Sequence, residues 1–142
     1  MQIDSEKVKE YLAKGGQAIL ELARDVYDNA GDRAFADAIE IGIANTISAL
    51  YEANVKDVDI INLMNNHWGI CRDEAVDLLA IEKIDAPCRA IKLYLRLQGK
   101  SSKEILDFMI YNGVRSTLEA NPELRELRRE PAKLYEALKS VK

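Results

Sequence analysis

The sequence predicts an all-α fold with about seven to nine helices and no sheet. Three observations carry that expectation. Ala, Leu, Ile, Glu, Lys and Arg dominate the 142 residues, while only 7 Gly and 3 Pro interrupt them. Straight-chain residues and Ala lose least on entering a helix. Apolar residues recur at helical spacing through most of the chain, and no stretch alternates with the period of a strand. With 48% hydrophobic and 31% charged residues, the chain has the composition of an ordinary folded domain rather than a disordered one.

Asp4 or Ser5 suits the cap of a first helix, along which Val8, Leu12, Gly15, Ile19, Leu22 and Val26 form a single 4-3-4-3-4 seam. Gly15-Gly16 either interrupts that helix or lets another backbone approach, and Asn29-Ala30-Gly31-Asp32 ends it. A second long helix is expected from about Arg33 to Ala53, carrying Phe35, Ile39, Ile43, Ile47 and Leu50. The two should pair as an antiparallel helical hairpin over residues 1–54.

Residues 55–113 hold the most informative pattern. INLMNNHWGICRDEAVDLL (61–79) aligns without gaps on IKLYLRLQGKSSKEILDFM (91–109), with identities at Ile61/Ile91, Leu63/Leu93, Gly69/Gly99, Glu74/Glu104 and Asp77/Asp107. Each copy reads as helix, glycine turn, helix, so two tandem helix–turn–helix units are expected. The glycine supplies the positive φ that closes the first helix of each. Ser101-Ser-Lys-Glu104 is a capping box, and Cys71-Arg-Asp-Glu74 is its weaker counterpart. Asp85-Ala86-Pro87 is expected to separate the copies, with Pro87 in the first turn of a new helix. Residues 114–142 should supply short C-terminal helices: one near Val114–Ala120, stopped by Asn121-Pro122, then Glu123–Arg129 and Pro131–Val141 as one broken helix or two short ones. Leu124, Leu127, Leu134, Tyr135 and Leu138 provide their apolar contacts. The three regions are expected to make a single helical domain.

Charge is unevenly divided. Residues 1–85 carry 8 Lys/Arg and 17 Asp/Glu, a net of −9, whereas residues 86–142 carry 12 and 7, a net of +5. Such asymmetry steers partners or pairs one half of a molecule with another. Arg89, Lys92 and Arg96 form an i, i+3, i+7 basic stripe that Lys100 and Lys103 extend. Arg125, Arg128 and Arg129 suit an acidic partner surface or a nucleic-acid backbone, or else pair with neighbouring glutamates. Glu21, Asp25, Asp28 and Asp32 make an acidic face, either solvated or docked on a basic partner.

The two units resemble the DNA-reading helix–turn–helix motif of bacterial regulators over about twenty residues each, through the turn glycine and the apolar positions flanking it. They depart from it four residues before the glycine, where Asn65 and Leu95 replace the small residue the motif prefers. The helices that would read bases begin Arg72-Asp73-Glu74 and Ser102-Lys103-Glu104, and acidic groups facing phosphates are unfavourable. The second unit is therefore the better DNA candidate.

No phosphate-cradling glycine loop, activated Ser–His arrangement or Cys–His catalytic context is present, so no catalytic residue is assigned. His67, Cys71 and Cys88 are the only His and Cys side chains, one short of the usual structural zinc set, and Gly69 breaks the helix between the first two. No metal or cofactor is expected. His67-Trp68 reads as a helix C-terminus packed by an aromatic ring rather than as an acid–base site. The reading is a non-enzymatic helical interaction or regulatory module in the cytoplasm, self-associating, with a protein partner and no membrane span. Two competitors are a DNA-binding transcriptional regulator using the second helix–turn–helix, and a phage or mobile-element inhibitor that occupies a basic site through its acidic half.

Overall fold

A computed structural model describes residues 33–140, together with Arg24. The expected first helix, its partnership in a hairpin, and the acidic residues Glu21, Asp25, Asp28 and Asp32 lie outside the described residues. Those described are mostly helical and contain no β-strand. Seven α-helices are seen among them: α1 Arg33–Glu52, α2 Asp57–Trp68, α3 Arg72–Leu97, α4 Ser102–Tyr111, α5 Val114–Ala120, α6 Pro122–Arg125 and α7 Pro131–Ser140. A 3-10 turn, Glu126–Arg129, joins the last two. The chain divides into two compact units, Met1–Ala80 and Ile81–Lys142, with the boundary inside α3.

In the first unit the turn after α1 contains Asn54, which takes a left-handed φ of 59°, and the N–H of Val55 returns to the carbonyl of Leu50 at 3.1 Å. Asn tolerates that conformation better than most side chains. The helix α2 then packs on α1. Phe35, Ile47 and Tyr51 of α1 are buried, as are Ile60 and Met64 of α2. Trp68 lies against α1 at Gly42, where a Cβ would stand 2.9 Å from the ring's Cη2. The ring fills the space that a missing side chain leaves, as an aromatic between helices should. His67 beside it is exposed.

The two glycine turns have the backbone their sequences demand. Gly69 has φ 67° and its N–H donates to Asn65 O; Gly99 has φ 85° and its N–H donates to Arg96 O. Burial nevertheless differs between the aligned segments. In the helices before the turns, Ile91 and Leu95 are buried in the second copy, whereas Ile60 and Met64, one residue earlier in register, are buried in the first; after the turns the register agrees, with Ala75 and Ile105 both buried. Asn65 explains the slip. It aligns with Leu95 but carries an amide, which donates to Ile70 O at 2.8 Å within the turn. Even a half-buried amide needs such a partner, so the apolar stripe rotates away from it.

Pro87 corrects the sequence reading. It does not start a new helix but sits fully buried inside the continuous α3. Proline there forfeits the hydrogen bond to the carbonyl four residues earlier and disfavours the helical conformation just before it. Burial of Ile84, Cys88, Ile91 and Leu95 on one helical stripe outweighs that local penalty. The helix that follows the first glycine turn is therefore the same one that precedes the second.

The core of the second unit is built by that stripe with Ile105 of α4, Val114 and Leu118 of α5, and Leu134 and Leu138 of α7. Leu124, Leu127 and Tyr135 pack against it, as their spacing predicts. Tyr135 lies between Tyr94 and Phe108, with ring centroids 5.5 and 5.1 Å away in tilted pairs. Ser101 caps α4 in a complete box, each partner's N–H donating across 3.2 Å to the other's side-chain oxygen. No helix among the described residues is long and apolar enough to cross a membrane.

Candidate functional site

Within the second unit, the exposed side of α3 faces α4 across an open cleft of about 600 Å³. The helix α3 supplies Asp85, Cys88, Arg89, Lys92 and Arg96 at spacings of three and four, which place them on one face. From α4 come Ser102, Ile105, Leu106 and Met109, and from the first turn of α5 comes Arg115. One wall is thus cationic and the other largely apolar. Leu106 is 58% exposed in the cleft, and Leu93, Leu97, Ile110 and Tyr111 are further exposed apolar side chains on the same two helices.

Each cation is held differently. Arg89 donates to both carboxylate oxygens of Glu82, two helical turns earlier, with Nη1 to Oε2 at 3.3 Å and Nη2 on Oε1. The Glu82 side chain is only 10% exposed, whereas that of Arg89 is 53% exposed. This contact pushes the guanidinium pKa up. Lys92 and Arg96 are exposed, and no carboxylate among the described residues pairs with either. Arg115 closes one end by donating from Nη1 and Nη2 to Asp85 Oδ1, at 2.8 and 2.6 Å.

Cys88 lines this end and is mostly buried. Burial pushes its thiol up from the ordinary value of 9.0, although a hydrogen bond with Arg115 pulls in the opposite direction. A thiol held protonated is a poorer nucleophile than a thiolate. Cys71 is exposed in the first unit, and neither cysteine is disulfide-bonded. Among the described residues no cluster of three or more His, Cys, Asp or Glu is placed to hold a metal ion.

The sequence-predicted cations separate into two groups. Arg89, Lys92 and Arg96 come together on the cleft, and Lys100 and Lys103 are exposed in and after the turn that joins its walls. Lys100 lies 3.8 Å from Glu104. The C-terminal arginines are largely committed to the fold. Arg125 Nε and Nη2 donate to the carbonyls of Leu118 and Glu119, both at 2.8 Å, and so satisfy the C-terminus of α5. The Arg128 side chain is 8% exposed and reaches Glu126 at 3.6 Å. Only Arg129 of the three is exposed.

Residues that sequence reasoning did not assign to the site are Asp85, Cys88, Ser102, Ile105, Leu106, Met109 and Arg115. Asp85 lies four positions before Arg89 and Cys88 four before Lys92, so both share the face of the basic stripe, a signal hidden by placing a boundary at Pro87. Nothing local links Arg115 to Asp85, thirty positions away. No family model, curated protein or solved structure matches the chain.

Proposed function

We propose that this chain is a non-enzymatic helical protein-interaction or regulatory module, and that the cleft of residues 85–115 receives an acidic, amphipathic helix from a protein partner. The observation that supports the reading is the contrast between the cleft's walls. Arg89, Lys92 and Arg96 along one side match carboxylates, while Ile105, Leu106 and Met109 along the other match leucine-like side chains. A helix with adjacent acidic and apolar faces meets both at once, the helix-in-groove mode of recognition. In this reading the turns at Gly69 and Gly99 belong to two helix–turn–helix units that share α3 and serve as packing architecture.

DNA binding through the second unit is the other reading, favoured by the exposure of Arg89, Lys92, Arg96, Lys100 and Lys103. Against it, the exposed surface of α4 carries Glu104, Leu106, Asp107, Ile110 and Tyr111. Two carboxylates and three large apolar groups are poorly suited to a phosphate backbone.

Fluorescence anisotropy separates the readings, using a labelled Glu/Leu amphipathic helical peptide and a labelled DNA duplex on the full chain. The peptide should bind, and both K92E/R96E and L106E should weaken it by about tenfold or more. Duplex binding that is stronger than peptide binding, abolished by K92E/R96E and indifferent to L106E, would establish the DNA reading instead.

A further inference from the structure

A second and smaller pocket, of about 290 Å³, lies wholly within the second unit. Leu95 of α3, Lys100 of the turn, Glu104, Asp107 and Phe108 of α4, and Tyr135 of α7 line it, and it shares no residue with the cleft. Such a volume is at the low end for ligand sites and suits a head group or a single side chain. Carbon surface comes from Leu95 and from the rings of Phe108 and Tyr135, whose centroids are 5.1 Å apart with the planes tilted by 35°. The charges are unevenly matched. Lys100 lies 3.8 Å from Glu104, whereas Asp107 is exposed and enters no ion pair among the described residues. The aromatic cluster already draws a cation, since Lys139 Nζ stands 4.8 Å from the centroid of the Tyr135 ring. Lys139 is paired in turn with Glu136 at 3.4 Å, which leaves the Asp107 carboxylate unanswered.

The geometry points to this pocket as a binding site for a quaternary ammonium group, independent of the cleft. Aromatic rings attract cations to their negative faces, and methylated ammonium ions are the ligands that ring-lined pockets recognise. The methyl groups pack on the carbon walls of Leu95, Phe108 and Tyr135, while the charge meets Asp107. A primary ammonium is strongly hydrated and would have to shed that water against the same apolar walls. A neutral group of the same shape gains the methyl contacts, but neither the attraction of the rings nor that of the carboxylate.

NMR titration of the full chain with choline tests the site, beside its uncharged carbon analogue dimethylbutanol and with circular dichroism to verify that each variant is folded. Choline should produce saturable shifts centred on Leu95, Phe108 and Tyr135, and the analogue should bind at least about fivefold more weakly. Phe108→Leu keeps apolar bulk but removes a ring face, and should weaken choline binding by about three- to fivefold. Asp107→Asn, an exposed change that spares the core, should weaken it by about two- to fivefold. A peptide carrying trimethyl-lysine presents the same head group from a protein, and the tighter of the two ligands names the source. Shifts that do not saturate, or that arise elsewhere, overturn the site. Equal binding of the neutral analogue overturns it too, because the pocket would then be merely apolar. So does binding that Asp107→Asn weakens and Phe108→Leu leaves unchanged, which marks a counter-ion on a carboxylate. Where Phe108→Leu does not fold, Asp107→Asn and the neutral analogue still decide.

Discussion

Arg89 holds a buried carboxylate, that of Glu82, with a guanidinium that is itself half exposed. A second arginine pair, Arg115 with Asp85, has both side chains exposed, at 55% and 36%. The two contacts look alike in a drawing of the cleft but differ in what their loss leaves behind.

Removing Arg89 strands a carboxylate that water reaches poorly, so Arg89→Ala should cost about 2–3 kcal/mol, at or below the low end for breaking a buried pair. Removing both charges should be milder: Glu82→Met with Arg89→Met is expected to recover most of that loss. Arg115→Ala should cost no more than about 1 kcal/mol, as exposed pairs do. Urea unfolding of the three variants beside wild type checks the ordering. Equal losses for Arg89→Ala and Arg115→Ala would show that Glu82 is solvated.

These pairs also mark how far the sequence carries. Elements with local punctuation were legible: Ser101 and Glu104 announce the start of α4, Gly113 precedes α5, and Asn121-Pro122 separates α5 from α6. The basic stripe was legible because i, i+3, i+7 spacing places side chains on one helical face whatever lies opposite. Pro87 misled because its local cost opposes a helix, and only the burial around it shows why the helix continues. The apolar wall was hidden for a different reason: Ile105, Leu106 and Met109 share one periodicity, yet Ile105 is core and Leu106 is surface. Arg125 read as a surface cation, and only the fold shows the open carbonyls of α5 beneath it.

Gly42 and Gly99 are both sensitive to an added methyl group, for unrelated reasons. At Gly42, Ala gains up to about 1 kcal/mol of helix propensity but meets the Trp68 ring at 2.9 Å. Overpacking costs about 1–3 kcal/mol, so Gly42→Ala should be destabilising by roughly 1 kcal/mol net. At Gly99 there is open space but a φ of 85°, so Gly99→Ala should lose about 1–2 kcal/mol through backbone strain alone. Tryptophan emission distinguishes them, because Trp68 is the sole tryptophan. Gly42→Ala should shift the spectrum of the folded protein, whereas Gly99→Ala should leave it unchanged. A shift with both would mean that the two turns are mechanically coupled.

The capping box at α4 makes stability depend on acid in a defined direction. Ser101→Ala should cost about 1 kcal/mol near neutral pH by stranding the N–H of Glu104, and somewhat less in acid, where the hydroxyl no longer supports the Glu104 carboxylate. Glu104 behaves differently. The backbone N–H of Ser101 donates to its carboxylate, and that bond holds its pKa below the ordinary value of 4.5, with the Ser101 hydroxyl assisting. The unfolded chain therefore takes up the proton first as pH falls. Stabilisation from this carboxylate is fully present above the unfolded value and is lost as pH drops through the lower folded one. The stability difference between wild type and Glu104→Ala should accordingly be flat above about pH 5 and shrink on further acidification. Glu104→Gln, which can still accept the bond from Ser101, should retain part of the cap without that acid dependence. Chemical denaturation of wild type and the three variants between about pH 3 and pH 7 measures all of this. A wild-type advantage that grows towards acid would mean that Glu104 is held by something other than the Ser101 amide.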